Sequence, residues 1–137
     1  MVMAKALGLD KKQTMSFLHK FLDQFQSLCN QQRPVNTTDL EKFVARNFRN
    51  VCNGKTVGKN LTDFAHHIDD MQKKHASTKI RVDSNQDFVV NDNKAVIQFS
   101  VDLVRRNSEK EHLFIMAIAT VEDGLITEWN QVTHVVE

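Results

Sequence analysis

The sequence predicts an α+β domain, and three observations carry that prediction. Between residues 10 and 75 the apolar residues recur at spacings of three and four, the period of helices that bury one side. From residue 94 to 136 the period changes to two, the mark of long β-strands. Those strand segments, 94–106, 111–122 and 125–136, are separated by Asn107-Ser108-Glu109-Lys110 and by a tight turn at Asp123-Gly124. Helices first and an antiparallel meander afterwards make an α+β architecture.

The first helix is expected over residues 10–30. Phe17, Leu18, Phe21, Leu22, Phe25 and Leu28 form its apolar stripe, and Lys20, Asp23, Gln24 and Gln26 its polar side. It should stop before Pro34, which disfavours helical geometry in the residue ahead of it. A second helix is expected from Thr37-Thr38. There Thr38-Asp39-Leu40-Glu41 fits a capping box, and Leu40, Phe43 and Val44 would form the buried edge. Asn53-Gly54 and Gly58 supply turns, with a short strand around Val51. Asn60 can cap a third helix to about His75, with Leu61, Phe64, Ala65, Ile68 and Met71 or Gln72 along one side. Short strands at 79–82 and 87–90 and a turn at Asn91-Asp92-Asn93 then lead into the meander.

Composition bounds the function. The 137 residues suffice for one domain, 1–137, with no internal repeat or linker. Eighteen Lys and Arg against seventeen Asp and Glu leave a net charge of +1 with the signs interspersed, so no basic stripe invites nucleic acid. No run approaches the roughly 20 apolar residues of a membrane span. Residues 1–8 are mildly apolar, but no leader-like core follows before Asp10-Lys11-Lys12. Cys29 and Cys52 lack metal-knuckle spacing and read as free thiols of a cytoplasmic protein. No cofactor motif is present: there is no Gly-rich phosphate loop, GxSxG elbow or HExxH.

The strand faces follow from alternation. In the first long strand Ala95, Ile97, Phe99, Val101 and Leu103 share a face suited to seat the helices. In the middle strand both sets are apolar: His112, Phe114, Met116, Ile118 and Thr120 on one side, Leu113, Ile115, Ala117, Ala119 and Val121 on the other. The helices can cover one face only, so the second is expected to be covered by another copy of the chain, giving a homodimer through the outer sheet face. In the last strand Trp129, Gln131 and Thr133 stand in a row at period two. They suit the wall of a pocket that mixes apolar surface with a few hydrogen-bonding groups.

The order of these elements, Asn53-Gly54-Lys55-Thr56-Val57-Gly58 ahead of the third helix, and Val121-Glu122-Asp123-Gly124-Leu125-Ile126 followed by Glu128-Trp129-Asn130-Gln131-Val132-Thr133, resemble the SnoaL-like branch of the nuclear transport factor 2-like superfamily. That superfamily includes ketosteroid isomerases and polyketide cyclases. The resemblance covers nearly the whole chain and implies a cone-shaped half-barrel, three N-terminal helices packed on a curved antiparallel sheet, with a pocket between them. It implies that Phe99, Val101, Leu103, Met116, Ile118, Trp129, Gln131 and Thr133 line the pocket, and that Phe17, Phe21 and Phe64 close it from the helical side. The middle-strand parity depends on the Asp123-Gly124 turn. A two-residue turn keeps Met116 on the Trp129 face, and a three-residue turn with a bulge substitutes Ala117 and Ala119.

The same resemblance tests the chemistry. An isomerase of this kind needs a carboxylate base before the third helix, where this chain has Asn50-Val51-Cys52-Asn53. It also needs a tyrosine oxyanion donor, and the chain has no tyrosine. A second acid on the middle strand would align with Met116 or Ala117. A cyclase relies on a histidine and an acid; Gln131 stands where the family often places that acid, and it cannot take a proton. Asp102 and Glu128 fall on the outer face. His112, on the inner side by alternation, is the candidate base. His66-His67 with Asp69-Asp70 reads as a solvated helix face rather than a metal site, since two ligands do not make one. The expected function is binding of a small, mostly apolar molecule in the cone pocket. The alternatives are a cyclase/isomerase-type enzyme with His112 as a non-standard base, and a dimeric interaction module whose pocket is filled by its own side chains.

Overall fold

A computed structural model describes residues 10–82 and 88–136. Residues 1–8 and Asp87, the first residue of the second short strand expected above, lie outside the described residues. Helix α1 (Lys11–Asn30) starts at Asp10, whose carboxylate accepts the Gln13 N–H at 2.8 Å while the Gln13 side chain accepts the Asp10 N–H at 3.1 Å. This reciprocal cap satisfies two of the first free backbone donors. Leu18, Phe21, Leu22 and Leu28 of the predicted stripe are buried, and Phe17 and Phe25 pack partly buried against them. Helix α2 (Leu61–Lys74) is capped by Asn60, which accepts the Asp63 N–H at 2.8 Å, and buries Leu61, Phe64, Ala65 and Ile68.

The second expected helix is replaced by a short 3-10 turn, Thr37–Asp39, and then by strand β1 (Val44–Cys52). The described residues therefore hold two α-helices rather than three. Leu40, Val44 and Phe48 are all buried at spacings of four, which imitates a helical stripe. Residues four apart share a face of a strand by simple alternation, so Val44 and Phe48 of β1 lie on the same side and, with Leu40 ahead of them, match helical spacing.

Strands β2 (Lys55–Gly58), β3 (His75–Arg81), β4 (Phe88–Asn91), β5 (Lys94–Arg105), β6 (Lys110–Glu122) and β7 (Leu125–Val136) complete one sheet in the order β2-β1-β7-β6-β5-β3. β4 pairs with β5 ahead of β3 along the same edge. The β1–β7 ladder is parallel and the others antiparallel. Ala95, Ile97, Phe99, Val101 and Leu103 are buried beneath the helices, as their alternation predicts.

The middle strand departs from the expectation. Asp123 and Gly124, at φ 52° and 79°, form a two-residue turn that pairs Glu122 with Leu125. The ladder then shifts by one: Val121 faces Ile126, but Thr120 faces Glu128, leaving Thr127 as an extra residue. Beyond this bulge Ala119 faces Trp129, Ala117 faces Gln131 and Ile115 faces Thr133. Ile115, Ala117 and Ala119 are buried on the helix side, while Met116 and Ile118, each 42% exposed, lie on the outer face. A tight turn and a bulge occur together, a combination outside the two alternatives read from the sequence.

The β3 edge is closed by α1. The Asn30 amide donates to the Thr78 carbonyl at 2.8 Å and accepts the Thr78 N–H at 2.8 Å, and Gln26 Oε1 accepts the Ile80 N–H at 2.6 Å. Backbone groups of the outermost strand are thus satisfied by helix side chains instead of another chain. Asn30→Ala removes both bonds to Thr78 and is expected to lower stability by about 1–3 kcal/mol, read as a lower midpoint in urea unfolding. An unchanged midpoint contradicts this role.

The two thiols are free and differ in surroundings. Cys29 is 4% exposed and burial pushes its pKa up to about 12, while Cys52 is half-buried. Since the thiolate is the reactive form, an aromatic disulfide reagent at pH 8 should modify one thiol in the native chain, Cys52, and both after unfolding. Rapid modification of Cys29 in the native chain would refute this assignment.

Candidate functional site

Between the helices and the sheet lies a cavity of about 350 Å³, within the range of small-molecule sites. Its body is aromatic. Phe21 packs on Trp129 with ring centroids 5.4 Å apart and on Phe64 at 6.3 Å; Phe25 stacks on Phe64 at 6.0 Å, and Phe99 meets Trp129 at 6.2 Å. Val101, Leu103, Leu113 and Ile115 extend the apolar wall along β5 and β6. Small residues opposite the indole leave it room, since Ala119 is paired with Trp129 and Ala117 with Gln131.

Of the residues expected in the pocket, Phe21, Phe64, Phe99, Val101, Leu103, Trp129 and Gln131 come together around the cavity. Phe17 does not line it: its ring rests on Phe43, centroids 5.5 Å apart, on the other side of Phe21. Met116 and Ile118 are on the opposite sheet face because of the Thr127 bulge. Thr133 stands behind Gln131 and accepts its Nε2–H at 2.9 Å.

Gln131 is committed within the protein. Its Oε1 accepts the Trp129 Nε1–H at 2.8 Å, and its Nε2 donates to Thr133 Oγ1 and, at 3.7 Å, to Cys52 Sγ. The carbonyl and both amide hydrogens are thereby used, so Gln131 fixes the indole. Asn50, two residues before Cys52 on β1, is different. It is 7% exposed and lines the cavity, and its amide has no hydrogen-bond partner among the described residues. Asn50 carries no signal of its own in the sequence, because the isomerase pattern calls for an acid in that segment.

The same bulge moves His112 to the outer face, opposite Asp102. Its Nδ1 meets Asp102 Oδ1 at 2.5 Å, and Arg81 Nε lies 3.1 Å from the other carboxylate oxygen. The bond from His112, with Arg81 nearby, holds the Asp102 carboxyl below the usual carboxylate range. His112 is therefore absent from the cavity lining and cannot serve there as the expected base.

The titratable groups that do line the cavity come from α2 and the residue after it: His67, Asp70, Lys74 and His75. Spacings of three and four place the first three along one side of the helix. Desolvation lowers the His67 pKa; nearby Asp70 pulls it back up and Lys74 lowers it further, so the net effect favours the neutral ring. His75 Nδ1 lies 3.1 Å from the Met71 carbonyl. A carbonyl only accepts, so Nδ1 carries the hydrogen and Nε2 is the free ring nitrogen. This wall can accept a hydrogen bond from a bound molecule. The helical spacing of His66 and Asp70 suggested a different pairing; it is His67 that shares the cavity wall with Asp70. Among the described residues no group of three or more His, Cys, Asp or Glu could hold a metal ion, and no helix is long and apolar enough to cross a membrane.

No protein-family model matches the sequence, and no curated protein matches it significantly. Solved structures do match. A candidate SnoaL-like polyketide cyclase from Jannaschia sp. CCS1 is similar with a TM-score of 0.66 at 12% identity, over 85% of this chain and 84% of that one. An M. tuberculosis LEH-like epoxide hydrolase gives 0.68 at 12% identity over 88% and 81%. A candidate ketosteroid isomerase from Kribbella flavida DSM 17836 gives 0.67 at 15% identity over 93% and 82%. At such identities the likeness is one of fold. With its helices packed on a mostly antiparallel sheet, this chain has the fold of the SnoaL-like, nuclear transport factor 2-like superfamily.

Proposed function

We propose that this chain binds a small, mostly apolar molecule in the cavity of its cone. The observation that carries the proposal is the aromatic box of Phe21, Phe64, Phe99 and Trp129 around about 350 Å³ of space. Apolar and aromatic walls favour an apolar body, which leaves water on entering. The space left beside Trp129 supports this reading over an interaction module whose indole fills the pocket.

Trp129 is the only tryptophan and the chain has no tyrosine, so its fluorescence reports on the cavity alone. Titration with the uncharged probe N-phenyl-1-naphthylamine should quench Trp129 emission saturably. Val101→Trp, which fills the wall, should weaken probe binding by about ten-fold or more, given the few kcal/mol that close packing of such groups is worth. Probe enhancement with a circular dichroism spectrum like that of the parent would read this variant, since it adds a second indole. Failure of the probe to bind the parent chain argues against the proposal.

The outer sheet face supports a second element of the proposal, a homodimer. Phe114, Met116 and Ile118 on β6 are exposed side by side, and Val132 on β7 faces Met116 across the ladder. Such a continuous apolar strip on a pleated surface suits a self-complementary two-fold contact. Sedimentation equilibrium should give twice the 15.8 kDa chain mass at micromolar concentration. Met116→Asp should weaken association by about 100-fold, since it leaves a carboxylate unpaired in an apolar contact. A parent chain that stays monomeric at ~100 μM, the low-affinity end of specific association, contradicts the dimer.

A further inference from the structure

We infer that Asn50 is the polar anchor of the cavity, and that the molecule it takes presents a hydrogen-bond donor beside an acceptor, as a carboxamide or lactam edge does. The inference rests on the proposed binding of an apolar molecule and names the polar group that molecule carries.

Buried amides in folded chains are ordinarily paired, and those without a partner call for an explanation. Three half-buried amides follow that rule: Gln26 is paired with Ile80, Gln72 with the Leu28 carbonyl and Gln131 with Trp129 and Thr133. Asn50 is 7% exposed, yet neither Oδ1 nor Nδ2 has a partner among the described residues, and the residue lines the cavity.

Its position suits recognition. Asn50 is level with Trp129 in the β1–β7 ladder and faces Gly58 of β2 on its other side. A Cβ at Gly58 would come within 3.8 Å of the Asn50 Cβ and 3.2 Å of the Asp63 Cβ. Glycine therefore keeps side-chain atoms away from the amide. The indole N–H beside it is already taken by Gln131. What remains next to the aromatic box is one amide with an acceptor and two donor hydrogens.

That pair of functions selects the ligand's chemistry. A carboxamide or lactam offers N–H to Oδ1 and C=O to Nδ2, closing two bonds in one plane. A carboxylate satisfies Nδ2 but sets its oxygens against Oδ1, and a hydrocarbon satisfies neither.

The test uses three probes with one aromatic body: 2-naphthamide, 2-ethylnaphthalene and 2-naphthoate, titrated against the full chain with Trp129 emission as readout. On the parent chain 2-naphthamide should bind at least ten-fold more tightly than the other two. Asn50→Leu should abolish that preference while leaving 2-ethylnaphthalene bound as well as or better than before. NMR of the parent chain gives an outcome that needs no variant: the Asn50 Nδ2H2 resonances should move with 2-naphthamide and stay in place with 2-ethylnaphthalene. Equal affinity for amide and hydrocarbon, with unmoved Asn50 resonances, overturns the anchor and leaves the apolar site standing. Preference for 2-naphthoate overturns it in favour of a cationic site at Lys74. Absence of binding by all three overturns the anchor and the proposed site together.

Discussion

A single extra residue in β7 decides what the cavity is made of. Thr127 has no partner in the β6–β7 ladder, and its hydroxyl donates to Glu122 Oε1 at 2.9 Å across the turn. Because side chains alternate along a strand, one inserted residue exchanges the two faces of everything paired beyond it. Ala117 and Ala119 are brought under the helices, and Phe114, Met116 and Ile118 are put outside. Large residues at 116 and 118 would compete with Trp129 for the same space, whereas two alanines leave room for the indole and for a cavity beside it. The bulge thus sets the volume of the site and the apolar character of the outer face at once. A change at Thr127 acts on both.

The aromatic box depends in turn on a polar device. An indole in such a cavity is oriented only if its N–H has a fixed acceptor. Gln131 provides one, and is itself held through Nε2 by Thr133 and Cys52. Asn53 joins this group, since its side chain accepts the Thr133 N–H at 2.9 Å. The row Trp129, Gln131, Thr133 therefore works as a brace for the wall. The polar groups left to meet a visitor are Asn50 on the β1 side and the α2 side chains on the other.

The parts legible in the sequence were those fixed by local rules. The stripe of α1, the Asn60 cap, the buried face of β5 and the turns at Asn53-Gly54 and Asp123-Gly124 each depend on residues within one or two turns of chain. The missing helix and the middle-strand parity failed for different reasons. In β1 a spacing of four fits one face of a strand as well as one face of a helix, so Leu40, Val44 and Phe48 did not discriminate between them. In β7 the bulge separated Ile126 from Trp129 by three positions, both buried, where strict alternation allows two or four. That odd spacing was the available signal. Reading it required the knowledge that both residues face inward, which only the packed sheet supplies. His112 was misplaced by that bulge, and Asn50 was overlooked because an acid was sought in the segment that holds it.

These corrections separate the chemistry of the cavity into two walls. On the α2 side, exposed His67, Asp70 and Lys74 and half-buried His75, whose Nδ1 lies 3.1 Å from the Met71 carbonyl, rim the cavity. On the β1 side stands an amide that neither gains nor loses a proton. Between them the lining is mainly aromatic and aliphatic. Under the proposed anchoring, a molecule that spans the cavity would hydrogen-bond at the β1 wall and place its far end beside the α2 side chains. A merely apolar container needs neither wall to be polar, since burial alone would retain its contents. Polar groups at both ends of a mainly apolar cavity fit the proposed reading of a site that distinguishes one end of its ligand from the other.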